Sequence, residues 1–381
     1  MERLIIVFLS LFTLTNMIRS SDGHEPGKLL RDPGVQTDGP YVQYNNDEVL
    51  INYIIETNGA KQVRTSSTAL IDKKNISLQV VTDLPGKIFQ VSLKKKLLIE
   101  KSKFPPVKKL IALSDIEGQF GAFRKLLQAN KVIDENFNWN FGNGHLVLDG
   151  DFFDRGQQVT EVLWLIYSLE QKAHDAGGYV HFILGNHEIM NLSGDLRYTP
   201  QKYLDNAKLM ELEYMSLFDQ NTELGRWLRT KNVAEKIGDL LFVHGGISPG
   251  LNNMNIVVDE INSIARPYYS DDVANEADQR AAIMFGDFGP MWYRGYYYQN
   301  TRDLSMQIDS TLQQFRVDHI ITGHTITGDT ISAWHGGKLL NLDVLHAEGK
   351  SEALLFENDK FYRVNANGQK TLLLHGDTKK R

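Results

Sequence analysis

The 381-residue chain has no cysteine. Disulfides, thiolate metal sites and any reaction run by a cysteine nucleophile are therefore excluded. The redox state of its compartment stays open, because a chain without thiols suits either. Positive charge is not in excess: 41 Lys and Arg stand against 47 Asp and Glu, a net charge of −6. That balance argues against a nucleic-acid coat or a polybasic membrane patch. It leaves room for a phosphorylated partner, since bound metal ions can themselves supply positive charge. Internal repeats and low-complexity tracts are also missing. What remains is ordinary globular material, 42% hydrophobic and 23% charged, long enough for one large domain with an appendage or for two domains.

The N-terminus carries Arg3 and then an apolar run, residues 4–14, broken only by Ser10 and Thr13. The run is too short to span a bilayer and has the length of a secretory core. Residues 1–20 therefore read as a signal peptide or membrane anchor, with a weak cleavage pattern at Ile18, Arg19 and Ser20. The expectation is an exported protein, periplasmic or secreted, with membrane association if the segment is retained. Residues 21–40 hold Gly23, Pro26, Gly27, Pro33 and Gly34 and read as a linker. Residues 41–105 form a small β-rich accessory region. Val49, Ile51, Tyr53 and Ile55 alternate, and further strands are expected at 77–81 and 88–93. Pro105 and Pro106 mark its end.

From 106 to 381 the pattern changes to strand–loop–helix units. Apolar strands are expected at 110–113, 146–148, 180–184, 240–243 and 319–321, with helices at 120–129 and 159–171. Residues 200–230 read as an inserted helical region near the site, and short strands return after 330. Each of the five strands ends in a polar, glycine-bearing motif: DIEG at 115–118, GDFFDRG at 150–156, GNHE at 185–188, VHGG at 243–246 and ITGHT at 321–325. Ligands collect outside the carboxyl ends of strands in open α/β sheets. Asp, Glu, Asn and His are donors for hard or borderline divalent metals, and glycine lets the backbone approach a ligand closely. Any single Asp after a strand is more often a turn residue, and any single His more often a packed one. Their joint order is what points to a metal centre. Asn75 and Asn191 head glycosylation patterns; the second lies beside the presumed site and reads as chance.

Over residues 106–360 these motifs resemble the calcineurin-like metallophosphoesterases, in particular their phosphoprotein phosphatase branch and its bacterial Shewanella-like members. The resemblance implies an α/β fold, a two-layer β sandwich flanked by helices, here with the small β-rich N-terminal region added. It implies a hydrolase of phosphate monoesters that uses two divalent metal ions, Mn foremost, with Fe, Zn or Mg as alternatives. Asp115 and Glu117 would serve the first ion, Asp151 both, and Asn186, His244 and His324 the second. Arg155 and Arg294, the latter within GPMWYRGY at 289–296, would clamp phosphate, with Asn186 at the same site. His187, oriented by Asp154, would protonate the leaving group after in-line attack by a metal-bridging hydroxide, the ions standing about 3.5–4 Å apart.

Two departures stand out. Glu117 occupies the place of the family's usual His, which adds a hard oxygen donor and negative charge and would favour Mn²⁺ or Mg²⁺. Otherwise it faces solvent and leaves a weak first site. Ile326 stands where phosphodiesterase-like relatives carry a second His, as in the phosphoprotein phosphatase branch. Arg294 could also be a stacking arginine among Trp292, Tyr293 and Tyr296. The substrate is expected to be a phosphorylated protein or a small phosphomonoester, with no nucleic acid bound. Alternatives on the same fold are a small-molecule phosphatase, a nucleotide hydrolase, or a weakly active metal- or phosphate-binding protein.

Overall fold

The computed structural model describes residues 36–271, 279–298 and 302–376. The segment read as signal peptide or anchor lies outside the described residues, as does most of the linker. The linker's last residues do not behave as one: β1, Gln36–Asn45, begins inside it. β1 pairs antiparallel with β2, Glu48–Thr57, which pairs with β3, Ala60–Ala69, across the Asn58-Gly59 turn. Both turn residues have positive φ, which matches the twist of a two-residue hairpin. A second hairpin joins β4, Ser77–Val81, to β5, Ile88–Ser92.

The rest is a sandwich of two six-stranded sheets. One sheet has the order β17-β16-β15-β7-β8-β9 and the other β13-β14-β12-β11-β10-β6. Their strands are β6 Lys103–Phe104, β7 Lys109–Leu113, β8 His145–Asp149, β9 Tyr179–Ile183, β10 Ala234–Ile237, β11 Leu240–Val243, β12 His319–Thr322, β13 Ser332–Trp334, β14 Leu339–Asn341, β15 Glu352–Glu357, β16 Lys360–Asn365 and β17 Lys370–His375. β7, β8 and β9 run parallel, joined by the helices Phe120–Ala129 and Val159–Asp175, because parallel neighbours need a crossover.

The central strands read as unbroken apolar runs because both of their faces are covered. Alternate residues split between two cores. Leu110, Ala112, Val147, Leu240, Phe242 and Ile321 meet between the sheets. Ile111, Leu113, Leu146, Leu148, Leu241 and Ile320 face outward into the larger helix-lined core. That larger core also takes in Val42, Val49, Ile51 and Ile54 of the N-terminal sheet. The accessory region is tied in by polar contacts as well. Trp164 Nε1 donates to the Pro40 carbonyl at 2.8 Å, and the Tyr44 amide donates to the Asn221 carbonyl at 2.7 Å. β6, from the end of this region, pairs with β10 as an edge strand of the second sheet.

Candidate metal centre and active site

β7, β8, β9, β11 and β12 deliver their motifs to one end of the sandwich. Asp151 stands at the middle of the resulting cluster. Its Oδ2 lies 3.0 Å from His244 Nε2 and 3.8 Å from His187 Nε2. The donor atoms of Asp151, His244 and His324 lie within 4.8 Å of one another, and so do those of Glu117, Asp151 and His187. Asn186 Oδ1 joins the first set, 3.2 Å from His244 Nε2. Asp151 is thus the carboxylate common to two groups of donors.

Asp115 and Glu117 do not project together from an extended segment. β7 ends at Leu113, and both acids have left-handed backbone, φ 54° and 47°. Their amides donate to the Gly150 and Asp151 carbonyls, each at 2.9 Å. This turn parts the two side chains. Asp115 Oδ2 accepts the His324 amide at 3.1 Å, outside both triads, whereas Glu117 is half-buried and forms an ion pair with Arg155. Arg155 is therefore held by a carboxylate before any phosphate arrives. Arg294 donates to the His324 carbonyl and so sits beside the second set of donors.

His187 is buried and fixed from behind. Its Nδ1 meets Asp154 Oδ2 at 2.6 Å, which leaves Nε2 facing the centre. Burial works against a charged imidazole here, but Asp151 and then the bond to Asp154 outweigh it and raise the His187 pKa above its ordinary value. Asp154 is held in turn: Asn191 Nδ2 and Thr199 Oγ1 donate to its Oδ1 at 2.9 and 3.1 Å. Asn191 is fully buried, so its glycosylation pattern is indeed incidental.

Glu188 and Asp343 escaped the sequence reading. Glu188, fully buried, accepts the amides of Asp151, Phe152 and Gly185 at 2.9, 2.7 and 2.8 Å. It pins the loop that presents Asp151, and its place in GNHE was the available signal. Asp343 has no motif to mark it. It is buried, and its carboxyl is pushed well up by burial first and then by Asp115. The close packing explains two glycines. A Cβ on Gly185 would stand 2.3 Å from Asp151 Oδ1, and one on Gly150 2.4 Å from His244 Nδ1.

The chemistry of the donors fits divalent metal. Oxygen and imidazole nitrogen converge in a buried space, the mixture that suits Mn, Fe or Zn. His244 Nδ1 meets the Asp149 carbonyl at 2.6 Å, which orients Nε2 inward as a second contact does for metal-binding histidines. Burial pushes Asp115 up to about 6 and raises Asp149 and Glu188. Such a concentration of buried carboxyls is compensated when cations share the space. A separate cavity of about 590 Å³ lies between the N-terminal sheet, the β4–β5 turn and the start of the helix Val159–Asp175; no metal-centre residue lines it.

The chain is similar to several known proteins. The family described as calcineurin-like phosphoesterase matches residues 108–328. Shewanella-like protein phosphatase 1 of Plasmodium berghei is 26% identical over 57% of this chain and 61% of its own length. Shewanella-like protein phosphatase 2 of Arabidopsis thaliana is 22% identical over 67% of this chain and 76% of its own. A crystal structure of the cold-active protein-tyrosine phosphatase of a psychrophilic Shewanella species superposes with a TM-score of 0.79. It is 36% identical and covers 89% of this chain and 99% of that one.

Proposed function

The chain belongs to the calcineurin-like phosphoesterases, metal-dependent phosphoric ester hydrolases, and we propose from this that it hydrolyses phosphate monoesters carried on protein side chains. The observation that supports this most directly is the acid beside the donor cluster. His187 Nε2 faces Asp151 at 3.8 Å while Nδ1 is held by Asp154 at 2.6 Å. A monoester needs its leaving oxygen protonated, and a positioned imidazole of raised pKa suits that task.

Asp151, Asn186, His244 and His324 would hold one divalent ion and Asp151 with Glu117 the other, which Asp115 would join only by leaving the His324 amide. Ions bound there supply a water of lowered pKa and stabilise the phosphate oxygens. The chain's own residues do the rest. Arg155, parted from Glu117, and Arg294 hold the non-bridging oxygens; guanidinium matches phosphate in bidentate fashion. His187 gives its Nε2 proton to the leaving oxygen, and Asp154 keeps the ring in place. The reaction is a direct displacement, with no phosphorylated enzyme.

The test uses protein stripped of metal and reloaded with Mn²⁺. Release of inorganic phosphate is expected to be at least about tenfold more efficient from phosphopeptides than from nucleotides, and chelator is expected to abolish it. His187→Ala should lower turnover on poor leaving groups by about 10²–10⁴-fold and much less on activated aryl phosphates. Faster nucleotide hydrolysis would favour the nucleotide alternative, and equal losses on both ester types would remove His187 as the acid.

A further inference from the structure

Tyr198 lies in no motif, yet its ring meets two of the groups that the proposed reaction uses. The ring centroid is 5.1 Å from the His187 imidazole, with the planes inclined at 53°. The Arg155 guanidinium lies over the same ring at 5.1 Å. The placement is held through the backbone, because the Tyr198 carbonyl accepts the Arg155 amide at 3.1 Å. Arg197, pinned by Asp195 through Nε and Nη2 at 2.8 and 2.7 Å, sets a second guanidinium 5.8 Å from the ring.

Tyr198 is also 43% exposed. Phe288, Tyr298 and Trp334 are the other exposed aromatic residues among those described. Of the four, Tyr198 is the one in ring contact with a residue of the site. An exposed aromatic face next to a buried acid is unusual placement for a residue that only fills space, since burial is what an aromatic ring gains most from.

The leaving group's position follows from the acid. To receive the Nε2 proton, the leaving oxygen must come within about 2.6–3.2 Å of it. The group attached to that oxygen then extends away from the His187 ring, within reach of a Tyr198 ring whose centroid is 5.1 Å from the imidazole. A flat aromatic substituent there can stack or meet edge-to-face at centroid distances of about 4.5–7 Å. A short alkyl substituent offers no such face.

We propose that Tyr198 determines leaving-group specificity: it is a platform for the aromatic ring of an aryl phosphate monoester, the chemistry of a phosphorylated tyrosine side chain. This rests on the phosphomonoesterase reading of the site. It is separable from that reading because a ring platform acts on binding even where nothing is hydrolysed.

The experiment therefore has two readouts, on the full chain loaded with Mn²⁺, for wild type, Tyr198→Ala and Tyr198→Phe. The first is calorimetric affinity for phenylphosphonate and methylphosphonate, which are not hydrolysed. The second is KM and kcat for a phosphotyrosine and a phosphoserine peptide. Tyr198→Ala is expected to weaken phenylphosphonate by about three- to tenfold and to raise KM for the phosphotyrosine peptide by a similar factor. Methylphosphonate affinity and the phosphoserine peptide should change by less than about twofold, and Tyr198→Phe should behave as wild type. Equal losses for the phenyl and methyl ligands, or a loss confined to kcat on both peptides, would overturn the proposal and make Tyr198 a support for His187 or Arg155. If neither peptide is hydrolysed but phenylphosphonate still loses affinity selectively, the enzymatic reading fails and the platform stands.

Discussion

Glu117 carries the sharpest conflict of roles among the residues. Its donor oxygen lies within 4.8 Å of the donor atoms of Asp151 and His187, a position for metal, while its carboxylate is paired with Arg155, the group proposed to hold phosphate. One carboxylate cannot fully serve both, so metal taken up by Glu117 would release Arg155. Glu117→Ala is expected to lower bound metal per chain and to reduce turnover by at least about tenfold, the scale of losing a metal-supporting group. Glu117→His should recover metal and shift preference towards Zn²⁺, since imidazole is the softer donor. Elemental analysis of the three proteins decides the matter. Unchanged metal content with tighter binding of inorganic phosphate in Glu117→Ala would assign the residue to Arg155 alone.

At the scale of elements, one buried acid adds to the apolar core and the Trp164–Pro40 bond in joining the N-terminal sheet to the helix Val159–Asp175. Glu223 begins the helix Glu223–Leu228 and is fully buried. It accepts hydrogen bonds from Tyr44 of β1 and from Tyr167, the latter at 2.5 Å, and pairs with Lys73 at 2.9 Å. Burial first, and then the Glu223 charge, raises both tyrosine pKa values, so both hydroxyls remain donors. Removing this acceptor leaves a part-buried ammonium and the Tyr44 hydroxyl without it, and leaves the Tyr167 hydroxyl with only the Lys94 amide that it accepts at 2.7 Å. Glu223→Ala is expected to destabilise the fold by roughly 3 kcal/mol, read as a lower urea midpoint. Glu223→Gln keeps one acceptor oxygen and should lose less. Similar losses for the two variants would mean that volume, not hydrogen bonding, holds the joint.

For the whole molecule, the question is whether the β-rich region is an attachment or part of one cooperative body. Its Val49, Ile51 and Ile54 belong to the same apolar core as Leu113, Phe123 and Trp164, and β6 continues the second sheet. Shared burial implies shared unfolding. Amides of β2 and β7 are therefore expected to show opening free energies within about 1 kcal/mol of each other by native-state hydrogen exchange. A β1–β3 sheet that opens several kcal/mol more easily would show that the region folds on its own account.

The sequence by itself determined the local features. The apolar runs at 110–113 and 240–243, the helix at 120–129 and the five motifs are legible because strand period, helix period and donor chemistry repeat within a few residues. It also showed that each motif follows a strand; the grouping of Asp151, Asn186, His244 and His324 came from the family resemblance. Tertiary structure decided what depends on residues distant in the chain. The left-handed turn that separates Asp115 from Glu117 is set by carbonyls of Gly150 and Asp151. The role of Glu188 appears only when the Asp151 loop lies across it, and that of Asn191 and Thr199 only when Asp154 reaches them. Asp343 comes from the far end of the catalytic region to stand near Asp115, and Tyr198 from just before the inserted region to set its ring 5.1 Å from that of His187. Donor type is a property of one residue and can be read along a line; orientation and partnership are properties of a packed surface and need the fold to exist.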